Sequence, residues 1–176
     1  MYRNIDLYDN YRYIGYDYHN TDGHFIYRYF IFFDTSSIPV GAIITNAILY
    51  LRRAPDDEGM SGFDTPFNIV IQDGQPTYPH SPLELADYNR SYYKNNGGSI
   101  NAEDISPDIY TGINLNSNGI AWINKGGITK FCLRNSREIA GIGYTGVLEY
   151  YFERIGICTF KKGAGYQPKL TITYEY

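Results

Sequence analysis

The stretch FIFFDTSSIPVGAIITNAILYL, Phe30 to Leu51, constrains the fold more than any other. An aromatic run stops at Asp34, small and rigid residues follow, and an alternating apolar run resumes across Ile44, Ala47, Leu49 and Leu51. Pro39 cannot continue a central strand, and Ser36, Ser37 and Gly41 favour a bend. The pattern predicts a strand over 25–33, a compact corner, and a strand over 44–53. In a sandwich, such a corner passes the chain from one sheet to the other. Pro39 pre-sets its φ angle, and Gly41 is expected to supply a conformation that a Cβ would strain. Asp34 is expected to accept hydrogen bonds from backbone amides at the corner. A catalytic or metal-ligating role for it is the alternative.

Strand signals recur along the chain. They fall at 67–73, 112–116, 129–135, 148–160 with a break near Gly156, and 169–176. At the N-terminus, Tyr11 and Tyr13 share one strand parity and Tyr16 and Tyr18 the other, which predicts a bulge at Gly15. NTDGH, Asn20 to His24, is turn chemistry. Arg28, alone in an apolar strand, should reach an edge or pair. Residues 116–124, NSNGIAWIN, read as one short helix capped by Asn116 or Ser117, with Ile120 and Ile123 on one face. Residues 74–108 are too polar and punctuated for a strand pair. They read as an ordered surface excursion with a helical turn in PLELADY. Twenty Tyr and nine Phe in 176 residues reinforce a β reading, because flat rings pack well on a pleated surface.

The fold class expected is therefore all-β: one antiparallel β-sandwich over 1–176, with one short helix and a long ordered surface loop. Residues 1–24 hold six tyrosines. Burying them offsets the entropy of ordering the chain, so the segment is expected to be ordered as a strand, paired within its own sandwich or, as the alternative, along a neighbouring subunit's edge.

The residues also resemble a known family. YRYFIFFDTSSIPVGAIITNAILYL, LNSNGIAWINKGGITKFCL and GYQPKLTITYEY are similar, in that order, to three signatures of the DNRLRE-type domain. That domain is related to the disaggregatase repeat and to some carbohydrate-binding modules. The resemblance covers roughly residues 25–176. It implies a jelly-roll-like β-sandwich that is extracellular or surface-exposed and has no chemistry of its own. Carbohydrate recognition or adhesion is the function it implies.

Net charge is −4, which argues against a nucleic-acid partner. No apolar run reaches membrane-spanning length, and the opening MYRNIDLYDN lacks the regions of a signal peptide. Partners are expected to be a carbohydrate or a protein surface, and a homo-oligomer is compatible with the Tyr content. The alternative function is structural, as a virion decoration or fibre subunit or an extracellular filament assembled through Tyr-rich contacts. Location is expected to be extracellular or on a virion surface.

Candidate ligand-binding residues lie in the polar excursion: Tyr78, Tyr88, Asn89, Tyr92, Tyr93 and Asn95. Aromatic faces with amides suit carbohydrate, by stacking and hydrogen bonding, and equally suit a protein interface. Asn89-Arg-Ser is also a glycosylation sequon. Trp122 reads as an anchor to the core rather than a sugar platform. No catalytic residue is expected. Asp87, Glu103, Asp104 and Glu149 are carboxylates that nothing in the sequence brings together, whereas a glycosidase needs two at a set separation. No cofactor is expected. Asp56, Asp57, Glu58 and Asp64 offer hard oxygen ligands suited to a structural Ca²⁺, without the spacing of an EF-hand. HNTDGH, with Asp17 nearby, reads as a solvated turn, with a metal site as the alternative. Cys132 and Cys158 read as buried free thiols, with one cross-strand disulfide as the alternative.

Overall fold

The computed structural model describes residues 9–55, 66–142 and 150–176. The chain is all-β and sandwich-like, with three antiparallel sheets. The first sheet has β1 (Tyr11–His19) between β2 (Gly23–Tyr27) and β9 (Tyr150–Cys158). The second has β4 (Ile43–Leu51) between β10 (Lys169–Glu175) and β7 (Thr111–Asn114). The third runs β3 (Tyr29–Asp34), β8 (Ile128–Asn135), β5 (Asn68–Gln72), β6 (Ser99–Asn101). One apolar core joins all three, with Ile14 and Ile155 from the first sheet, Leu49 and Ile113 from the second, and Ile71 and Phe131 from the third.

The corner changes sheets as the sequence predicts, since β3 and β4 lie in different sheets. Asp34 Oδ1 accepts a hydrogen bond from the Ser36 amide at 3.0 Å, and the Ala42 amide donates to the Pro39 carbonyl at 3.0 Å. Gly41 departs from expectation. Its φ is not positive, and a Cβ there meets nothing within 4 Å. The bend rests on Pro39 and the Asp34 turn. Gly41→Val is therefore expected to change stability by no more than about 0.5 kcal/mol in a denaturant titration.

The strand expected over 25–33 is two strands. The ladder breaks at Arg28, so β2 pairs with β1 while β3 pairs with β8. The cause is the buried Arg28 side chain, whose guanidinium donates to the Tyr88 carbonyl and pairs with Glu138.

Gly15 is not a bulge. β1 and β9 stay in register from Tyr11↔Cys158 to His19↔Tyr150, so Tyr11 and Tyr13 lie on one face and Tyr16 and Tyr18 on the other. Gly156 likewise stays within the β9 ladder, so the break expected there is absent. The Tyr-rich segment is thus an internal strand of its own sandwich over Tyr11–His19, while Tyr2 and Tyr8 lie outside the described residues.

Among the described residues two short α-helices form, not one. Helix α1 is Ser117–Ala121, capped by the Asn116 side chain, which accepts from the Gly119 amide at 3.1 Å. Helix α2 is Ser136–Ile139, capped in the same way by Asn135. The excursion 74–108 holds the expected helical turn, a 3-10 turn at Leu85–Tyr88. It also supplies one short strand, β6, which pairs with β5 outside the excursion through Ile69↔Ile100.

Among the described residues no helix is long and apolar enough to cross a membrane. Cys132 and Cys158 are both buried and free, which settles the open pairing. Burial pushes the Cys132 thiol well above its ordinary value, which disfavours the thiolate.

Candidate functional site

The break at Arg28 positions two cavities. β2 and β3 join different sheets there, and Leu83, Glu84, Leu85 and Tyr88 line the adjoining space. Arg28, Ile26 and Tyr88 line both cavities, so they form the wall between them.

The larger cavity is a groove of about 760 Å³. Its walls are mainly aromatic: Tyr11, Tyr13, Tyr27, Tyr29, Phe33 and Phe160, with Leu83 and Leu85 from the excursion. Tyr11, Tyr13 and Tyr27 form a run of edge-to-face rings with centroids 5.3 and 5.5 Å apart. Arg154 lies over the Tyr13 ring at 3.8 Å and pairs with Asp17 at 3.1 Å, fixing the run from behind. Burial, and then the charge of Asp17, push the Tyr27 hydroxyl up to about 12. Burial pushes Tyr29 to about 12 as well. Both rings are therefore neutral throughout the physiological range. Phe160 is 68% exposed and Leu85 55% exposed, so the groove also carries apolar groups open to solvent.

The smaller cavity, about 460 Å³, is polar. Glu138, Glu153, Asn135, Asn89 and Arg90 line it together with Tyr16. Its inner wall is a buried ionic network. Arg134 holds Glu138 with two hydrogen bonds, one of them from Nε at 2.7 Å, and reaches Gln72 at 2.7 Å. Arg28 adds a third bond to Glu138 at 2.8 Å. Burial acts upward on the Glu138 carboxyl, but the hydrogen bonds from Arg134 and Arg28 outweigh it and hold the carboxyl below its ordinary value. Glu153 accepts from Asn135 and Tyr151, each at 2.9 Å, and Arg137 Nε lies 3.0 Å from it.

The residues singled out from the sequence scatter around this site. Tyr88 stacks on the Arg28 guanidinium at 4.2 Å in the dividing wall, and Asn89 lines the smaller cavity. Tyr78 and Tyr92 stack face to face at 3.7 Å outside both cavities. Tyr93 is buried against Phe30, and Asn95 holds a turn with φ of 60°. Trp122 is half-buried against the core and packs over Gly97, as an anchor does. Asp87 is buried and accepts from the His80 ring and from the His80 and Glu84 amides, which makes it a loop pin. Asp56, Asp57, Glu58, Asp64 and Glu149 lie outside the described residues. His19 and His24 do not converge: His24 faces Tyr16 and Tyr18, while His19 faces Phe25 and Phe152. Among the described residues no group of His, Cys, Asp and Glu side chains is arranged to hold a metal ion.

No family model, curated protein or solved structure matches the chain.

The sequence reading missed the groove because its rings on β1, β2 and β3, although consecutive in the chain, are split between two sheets, and Phe160 joins them from the distant 159–168 region. The only signal was the density of tyrosine in residues 11–29.

Proposed function

We propose that this chain is a non-catalytic β-sandwich module that acts by binding, and that carbohydrate is its ligand. One observation carries the reading: the groove of about 760 Å³ walled by Tyr11, Tyr13, Tyr27 and Phe160. A pocket of that size takes a short oligosaccharide. Neutral ring faces offer stacking to sugar C–H groups, and the Arg12 and Glu84 side chains in the same walls offer hydrogen bonds at its rim. The resemblance to DNRLRE-type domains points to the same ligand class.

The chemistry of the site supports binding over catalysis. A general acid must hold its proton near neutral pH. The Glu138 carboxyl is held below its ordinary value instead, and Glu153 is tied to Asn135, Tyr151 and Arg137.

Glycan-array screening followed by calorimetry tests the proposal. A glycan that binds the parent chain is expected to bind Phe160→Ala about tenfold more weakly, roughly 1.4 kcal/mol, with an unchanged melting temperature. Phe160 is exposed, so its removal leaves the core intact. Glycan binding that is indifferent to Phe160→Ala and Leu85→Ser would place the site elsewhere. Absence of glycan binding, together with a multimeric particle mass, would favour the structural-subunit function.

A further inference from the structure

The smaller cavity has a feature that the groove lacks. Arg28 and Arg90 line the cavity with two carboxylates, Glu138 and Glu153, and Arg134 and Arg137 pair with those carboxylates as well. Three of the arginines are engaged with those carboxylates. Arg90 is exposed at the cavity wall, and its guanidinium makes no hydrogen bond, ion pair or ring contact to any described residue. The Asn89 amide beside it uses only its oxygen, which accepts from Ser91. Asp87, the next carboxylate along this segment, is turned into its own loop. The cavity thus keeps positive charge and unused N–H donors in a chain whose net charge is −4. Burying several ions costs several kcal/mol each unless they are well paired, and such clusters concentrate at functional sites.

We propose that this cavity is an oxyanion site, taking the carboxylate or phosphate group of a small polar ligand, with Arg90 as its direct contact. A guanidinium presents a planar fork of donors that matches either group. Glu138 and Glu153 do not oppose the ligand, because Arg134, Arg28 and Arg137 already neutralise them. Their role is to hold the wall rigid. The site is separate from the groove apart from the shared wall, and it does not depend on the glycan reading.

Calorimetric titration of the intact chain with glucose 6-phosphate, gluconate, inorganic phosphate and glucose tests this. At least one of the three anions is expected to bind at least tenfold more tightly than glucose, and to weaken as salt rises. Binding by phosphates alone, or by gluconate alone, identifies which source of oxyanion the cavity takes. Arg90→Ala is expected to reduce that binding about tenfold at unchanged melting temperature, and Arg90→Lys to restore part of it. Equal binding of glucose and all anions, no anion binding, or anion binding unaffected by Arg90→Ala would each overturn the proposal. None of these outcomes alters what Phe160→Ala reports about the groove.

Discussion

Replacing Glu138 with alanine is expected to destabilise the protein by about 3–5 kcal/mol, the range for removing one partner of a buried ion pair. Glu138 is 9% exposed and accepts from both Arg134 and Arg28, whose side chains are each 3% exposed. Without the carboxylate, two guanidiniums are left in a wall too buried to solvate them. The effect should far exceed the cavity left by the side chain. Glu138→Gln keeps the shape and loses the charge, so it separates electrostatics from packing and is expected to lie close to the alanine variant. The pH dependence has a definite sign. The folded carboxyl titrates below its ordinary value of 4.5, so its contribution is complete above that value and is lost as pH falls through the lower, folded one. Denaturant titrations of the parent chain and Glu138→Gln should therefore differ most near neutrality and converge only as pH falls through the lowered, folded value. A constant difference down to the acid end would show that the charge does not stabilise the fold.

Gly15→Ala is expected to cost about 3–4 kcal/mol, from backbone strain and overpacking together. Gly15 has a φ of +140°, which L side chains rarely adopt. A Cβ there would stand 2.1 Å from the Glu153 carbonyl oxygen and 2.5 Å from Arg154 Cα. Both obstacles are backbone of the partner strand, so relief requires β1 and β9 to separate. Gly41→Ala is the natural control, because its surroundings are open. A Gly15→Ala chain as stable as the Gly41→Ala chain would mean that the two strands do not approach so closely.

The contrast between these glycines shows which parts of the fold were legible in the sequence. The bend at Pro39 is encoded locally, by a ring that fixes φ and an Asp that caps the turn, and it was readable from five residues. The cap of α1 by Asn116 is local in the same way. Gly15 was misread because its constraint comes from Glu153 and Arg154, well over a hundred positions away. Arg28 fared the same: its type signalled pairing, but its partner, Glu138, is 110 positions on, so the break between β2 and β3 was invisible. Of the six tyrosine and asparagine positions named for ligand binding, only Tyr88 and Asn89 line a cavity. Composition marked the polar excursion, whereas concavity depends on which distant strand lies beneath it.

The pairing order has a consequence for how the chain is made. β3 needs β8, β4 needs β7 and β10, and β1 needs β9. A ribosome emitting this chain from its N-terminus releases the aromatic strand Tyr29–Asp34 about a hundred residues before its partner exists. Among the described strands, β1 and β2 are the first that can pair. Long-range pairing is slow, and unpaired apolar strands associate with whatever they meet. The newborn chain therefore passes through an extended interval with its stickiest strand uncovered, and its yield in a cell should depend on holding chaperones and on the speed of translation across residues 35–128.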